Sequence, residues 1–357
     1  MAQPSDLKNA KSILLVLAAG IGDLVMAAAA LKAIRFARPE AKITLLVSPK
    51  SLPYAKLCPY VDEELAVPSS LCGLASALST AFKLRARHFD AAINLYGIGT
   101  LSGSLKMRAL FSLIKPKASA GRNYRGYGSF FDFSVEERDG DGKCQSDYYA
   151  ELADLLGAKT FQKDKSAIWF AQDSERAAAD VLSANGVTEN DRLVGINPAS
   201  ARRTRLWNSA RFAQVAAALQ EKTGCKFVVL GGPSDRGLAD ELVRAMAHKP
   251  INAAGALSYD ETAALIKRLS MLITVHSSVL HTANALRVPC VCLIGPGNAE
   301  KDGPYAPDPN RMRLVRADEA PCSPCDLDIC RRNRCMANTS VRKVLEASLE
   351  LWDRIYG

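Results

Sequence analysis

A glycine turn, Gly20-Ile21-Gly22-Asp23, separates an apolar run, Ile13 to Leu17, from an alanine-rich segment with helical periodicity. A strand–glycine–helix junction presents backbone N–H groups and the positive end of a helix to an anionic ligand. Here it also holds one carboxylate. Asp23 can act there as a cap that complements the helix dipole, or as a general base beside a phosphate-bearing substrate. An aspartate ordinarily titrates near ~3.9, so at neutral pH it accepts a proton without any upward tuning.

Further groups with chemical potential follow strand-like runs in the second half. Asn197-Pro198-Ala199-Ser200 leads into Arg202, Arg203, Arg205 and Trp207 just before a helical pattern. A hydroxyl, backbone donors and an arginine fork make either a diphosphate clamp or an ordinary basic loop. In Gly231-Gly232-Pro233-Ser234-Asp235 the glycines permit close backbone approach, and Asp235 either accepts ribose hydroxyls or caps its helix. Thr274-Val275-His276-Ser277-Ser278-Val279-Leu280-His281 turns from strand to helix. His276, at the strand end, is the better site candidate, whereas His281 is expected in the core. Asp139-Gly140-Asp141 and Asp326-Leu327-Asp328 match the loose acid-x-acid pattern of metal-assisted sugar transfer. The first sits in a glycine-rich turn, where aspartates bond to local backbone. Cys322-x2-Cys325-x4-Cys330-x4-Cys335, with Arg331, Arg332 and Arg334 inside it, has the spacing of a structural zinc knuckle or of a basic RNA-binding module. RNA binding calls for stacking aromatics, and none lies between 318 and 340.

At 357 residues the chain exceeds what one core usually organises, which predicts two domains. Strands are expected near Ile13–Leu17, Ile43–Val47, Glu64–Val67 and Ala91–Leu95, then Leu193–Asn197, Phe227–Leu230, Leu272–Val275 and Cys290–Ile294. Helices are expected near Asp23–Ala37, Leu71–Arg87 and Tyr148–Leu156, then Ser209–Lys222, Ser234–His248, Ser258–Leu269 and Val279–Leu286. This alternation predicts α/β halves with parallel sheets and helices on both faces. A polar stretch containing Asp164, Lys165, Asp173 and Asn185-Gly186 separates them, giving domains at 1–175 and 176–357, the latter carrying the cysteine cluster at 322–335. Ligands of open α/β sheets bind at the carboxyl ends of strands, where these motifs fall, and facing lobes predict a cleft site.

Several classes are excluded. The third glycine of a dinucleotide fingerprint is Val25 and no acid follows the second strand, so a nicotinamide enzyme is not indicated; nor is there a P-loop. No run approaches the ~20 apolar residues of a membrane span, and a cytosolic protein with reduced thiols is expected. The net charge of +9 gathers at Lys83–Arg87, Lys106–Arg125, Arg202–Arg205 and Arg331–Arg334, which suits phosphorylated substrates or anionic lipid.

From about residue 12 to the C-terminus, the order of these motifs resembles glycosyltransferase family 9, the bacterial ADP-heptose:lipopolysaccharide heptosyltransferases. Pro39 and Tyr60-Val61-Asp62-Glu63 add to the likeness. The resemblance implies a GT-B architecture, two Rossmann-like doubly wound parallel-sheet domains facing a cleft, with acceptor on the first and nucleotide sugar on the second. By match to the motifs, Asp23 takes the place of the catalytic base, and Ser200 and Arg205 those of phosphate contacts. Asp235 corresponds to the ribose-binding acid and Ser277 to a donor-site hydroxyl, with Gly22, His276, Ser278 and His281 in the donor-binding motifs. Where many members have aspartate the chain has His276, Ser278 stands at the following glycine position, Arg205 replaces a lysine, and Ala201 a hydroxyl. The implied activity is inverting transfer of heptose from ADP-heptose to lipopolysaccharide core or a related glycolipid at the inner face of the inner membrane, requiring no cofactor or metal and no nucleic acid. The other readings are a nucleotide-sugar-binding protein without transferase activity and an RNA-binding protein using the cysteine cluster.

Overall fold

A computed structural model of the chain describes residues 2–67, 73–159, 167–317 and 319–357. The expected helix start at Leu71, and Asp164 and Lys165 of the expected boundary stretch, lie outside the described residues. The chain divides into two compact units, Met1–Ser166 and Ala167–Gly357. The division falls before the 175/176 boundary read from composition, because the segment from Ala167 is bonded into the second unit. Ser174 Oγ donates to Asp260 Oδ2 at 2.5 Å, the Ala171 N–H reaches the same oxygen at 3.4 Å, and Phe170 packs on the second unit's core.

The first unit holds a parallel sheet of β1 (Ser12–Leu17), β2 (Lys42–Val47), β3 (Glu63–Ala66), β4 (Ala91–Asn94), β5 (Ala118–Tyr124) and β6 (Phe133–Glu137), in the order β3-β2-β1-β4-β5-β6. The second holds β7 (Leu193–Asn197), β8 (Lys226–Val229), β9 (Ile251–Asn252), β10 (Met271–Val275), β11 (Cys290–Leu293) and β12 (Met312–Val315), ordered β12-β11-β10-β7-β8-β9. Counted from its own first strand, each unit has the doubly wound dinucleotide-fold order. The winding reverses between β1 and β4 and between β7 and β10, where crevices open at strand carboxyl ends. Ile13–Leu17 and Leu193–Asn197 are buried throughout, as strands covered on both faces require.

Strands β5, β6, β9 and β12, and helices Leu101–Ile114, Ser174–Ala184 and Val341–Tyr356, are additions to the expected set. Strand β5 reads ASAGRNY and has no apolar run. Its Gly121 is needed for close approach, since a Cβ there would lie 2.2 Å from the Phe131 ring. The helix expected over Ser234–His248 resolves into a 3₁₀ turn, Pro233–Asp235, and a helix, Arg236–Ala245. Helix Val341–Tyr356 closes the second core by packing Val344, Leu351 and Trp352 with Phe212 and Leu219. Among the described residues no helix is long and apolar enough to cross a membrane.

Candidate functional site

In the first unit, Gly20 is the N-cap of helix Ile21–Ala37, and Asp23 stands in its first turn beyond the carboxyl end of β1. The half-buried Asp23 carboxylate accepts the Gly20 N–H on Oδ2 at 3.2 Å and the Tyr149 hydroxyl on Oδ1 at 3.1 Å. The capping role is therefore real, and it leaves the acid at the point where the sheet's winding reverses. Tyr149 is fully buried on helix Gln145–Leu155, and burial followed by the nearby Asp23 charge holds its phenol well above the ordinary range.

Behind this pair lies a network that the sequence does not announce. Arg122 is fully buried, its Nη2 lying 2.7 Å from Glu137 Oε2 and its Nη1 donating to Gln145 Oε1, with the guanidinium 4.1 Å from the Tyr148 ring centroid. Strand β5 is thus tied to the carboxyl end of β6 by an internal ion pair, whose loss on one side would strand a buried charge. Arg122 falls within the Lys106–Arg125 basic cluster of the sequence, yet it is buried and not part of a surface. Lys106 and Arg108 of that cluster are exposed, whereas Arg125 pairs with Asp139 at 2.8 Å. Asp141 makes the local bonds expected of a turn aspartate, accepting from the N–H groups of Arg138 and Lys143, whereas Asp139 accepts from the side chains of Tyr124 and Arg125.

In the second unit, the ends of β7 and β10 meet through side chains. Asn197 Nδ2 donates to Thr274 Oγ1 and to Ser277 Oγ, each at 3.0 Å, and Ser200 Oγ donates to the His276 carbonyl at 3.0 Å. Ser277 is the N-cap of helix Ser278–Ala285. Ser200, Ser277 and Ser278 are half-buried. His276 is 1% exposed, and its Nε2 donates to the Asp302 carbonyl at 2.8 Å. Among the described residues its Nδ1 has no partner, and it faces Gly297, where a Cβ would come within 2.3 Å. Burial first, and then the charge of Arg205, pull the imidazole down to about 4, so it is neutral at neutral pH. His281 is buried as a core residue, its imidazole pushed down to about 3 by burial and then by His276.

Asp235 repeats the Asp23 arrangement beyond β8, accepting the Gly232 N–H on Oδ2 at 2.8 Å. Arg205 does not stand open. Its Nη2 pairs with Asp326 Oδ1 at 2.8 Å, while its buried Nε has no acceptor among the described residues. Arg202 pairs with Asp326 and with Asp328, the latter at 3.1 Å, and Thr204 Oγ1 donates to the Leu327 carbonyl at 2.7 Å. The arginine loop and Asp326-Leu327-Asp328, read separately in the sequence, form one structure. Cys322, Cys325 and Cys330 are exposed, Cys335 is buried, and all are free thiols. Among the described residues no group of three or more His, Cys, Asp or Glu side chains is gathered to hold a metal ion.

Residues 78–333 match the family model described as Glycosyltransferase family 9 (heptosyltransferase). The chain belongs to glycosyltransferase family 9. The family 9 span takes in Ser200, Arg205, Asp235 and His276–His281, and it starts after Asp23. Over 281 residues the chain is 27% identical to lipopolysaccharide heptosyltransferase 3 of Escherichia coli (strain K12), covering 77% of this chain and 79% of that one. The family 9 crystal structure from Veillonella parvula DSM 2008 superposes with a TM-score of 0.78 at 25% identity, covering 96% and 97% of the two chains. The E. coli ADP-heptose lipopolysaccharide heptosyltransferase II gives 0.72 at 19% identity, covering 97% and 100%. The protein is a glycosyltransferase whose two α/β sheets are those of the GT-B class.

Proposed function

We propose that this glycosyltransferase moves heptose from ADP-heptose to a hydroxyl of a lipopolysaccharide core or related glycolipid, with inversion at the anomeric carbon. The observation that carries the chemistry is the Asp23 carboxylate, fixed by the Gly20 N–H and the Tyr149 hydroxyl where the first sheet reverses its winding. The acceptor oxygen attacks the anomeric carbon and its proton passes to Asp23, while ADP leaves with the electron pair of the broken C–O bond. Arg205, Ser200 and helix N-terminal amides hold the charge that gathers on the diphosphate. Likeness to lipopolysaccharide heptosyltransferase 3 supports the donor and acceptor classes. The polarity of the group at 276 bears on the donor, because a neutral imidazole replaces a negative charge.

Thermal stabilisation tests the donor. ADP at ~100 times its dissociation constant should add about 2.7 kcal/mol, while UDP, GDP, CMP and short RNA should add nothing comparable. Selective stabilisation by another nucleoside diphosphate overturns the heptose donor, and stabilisation by RNA alone moves the function to the cysteine cluster. ADP stabilisation with no product from ADP-heptose and deacylated core leaves a nucleotide-sugar-binding protein.

The acceptor lobe is proposed to work at the cytoplasmic face of the inner membrane. Exposed Lys106 and Arg108 share helix Leu101–Ile114 with exposed Leu101 and Leu105. Each basic group near an anionic surface contributes about 1 kcal/mol. Replacing both by glutamate should therefore raise the KM for a glycolipid acceptor at least ~10-fold while sparing ADP affinity. Equal loss of both would defeat this assignment.

A further inference from the structure

We propose that Tyr149 is a positioning residue for Asp23, its hydroxyl fixing Oδ1 so that the carboxylate presents itself to the acceptor proton in one orientation. This rests on the reading of Asp23 as the base.

The pair is built from rigid parts. Tyr149 lies in the middle of helix Gln145–Leu155, which packs along helix Ile21–Ala37, and Ser146 Oγ ties the two by donating to the Met26 carbonyl at 3.2 Å. The tyrosine is fully buried, and a buried phenol has to find a partner for its hydroxyl. A phenylalanine would satisfy the packing. What the hydroxyl adds is a donor to an acid 126 residues away in sequence. Because burial and Asp23 itself keep the phenol protonated, that donor is present at every working pH.

Two donors, the Gly20 N–H on Oδ2 and the Tyr149 O–H on Oδ1, hold both carboxylate oxygens. Each bond favours the ionised form and restricts rotation of the acid about its side-chain bonds. Other groups facing the pair are Tyr96, which follows β4, and Arg122 of β5, whose charge Glu137 of β6 balances at 2.7 Å. These stay in place when the hydroxyl is removed, so a change seen on removing it belongs to the lost bond.

The experiment follows ADP release from ADP-heptose with deacylated lipopolysaccharide core as acceptor, across pH. Tyr149→Phe should lower kcat about tenfold with the donor KM unchanged. It should also move the acid limb of the kcat/KM profile upward by about one pH unit, since the ionised acid loses a donor. A merely structural role would lower the melting temperature and leave that limb where it was. Incorporating 3-fluorotyrosine at 149 keeps ring and hydroxyl but strengthens the donation, and should move the limb downward. A folded Tyr149→Phe with the parent limb and kcat overturns the proposal. If Tyr149→Phe does not fold, an unmoved limb in the fluorinated protein overturns it instead. Asp23→Asn separates the two readings. Full activity there removes the base and the proposal with it, whereas an inactive Asp23→Asn beside an unaffected Tyr149→Phe removes only the proposal.

Discussion

Asp23→Asn is expected to lower kcat for sugar transfer by about 10²–10⁴ while ADP binds as in the parent. Asparagine keeps the shape of the side chain and one carbonyl oxygen to accept the Gly20 N–H, so the turn that opens helix Ile21–Ala37 survives. What it lacks is a basic oxygen for the acceptor's proton, and the incoming hydroxyl then attacks without proton removal. The capping role of Asp23 and the proposed base chemistry are separable on this point. A cap-only residue would give a variant of nearly parental kcat and slightly altered melting temperature. A base gives parental ADP affinity, parental folding and almost no product, read by ADP titration and product formation on the same preparation.

The parts of this fold that are legible in the sequence are those governed by short-range physics. Strands β1, β2, β7 and β10 are apolar runs buried on both faces, and each precedes a turn whose glycine or small polar residues mark a helix start. Asp23, Ser200, Asp235 and Ser277 sit within a few residues of strand carboxyl ends, so those places follow from local pattern. Strand β5 is illegible for the opposite reason. Its buried Arg122 is neutralised by Glu137 on β6, 15 residues on, and in sequence it looks like one more basic residue of a surface cluster. Helix Val341–Tyr356 carries Val344, Leu351 and Trp352 on one face, a periodicity that could have been found. The pairing of Arg205 with Asp326 spans 121 residues and has no local signal. That pairing also changes how the arginine loop is understood, because a group read as waiting for phosphate already holds a carboxylate.

Arg205→Met should therefore carry the second large effect, a loss of about 10²–10³ in kcat with weaker ADP binding. The geometry gives the reason. Asp326 Oδ1 accepts from both Arg202 and Arg205, so a single carboxylate sits in a fork that two guanidinium groups have built for an anion. Arg205 Nε is buried with no acceptor among the described residues, a cost that a phosphate oxygen would relieve. A diphosphate brings more charge and more acceptor oxygens than Asp326 supplies, and it is expected to take the fork in exchange for the carboxylate. Arg205→Lys keeps the charge and loses the planar geometry, so it should fall between the parent and methionine. Asp326→Asn removes the internal competitor and should tighten ADP about tenfold, the equivalent of about 1.4 kcal/mol. A structural staple would behave otherwise. Arg205→Met would then melt at lower temperature with ADP affinity and kcat unchanged, and Asp326→Asn would lose stability without gaining affinity.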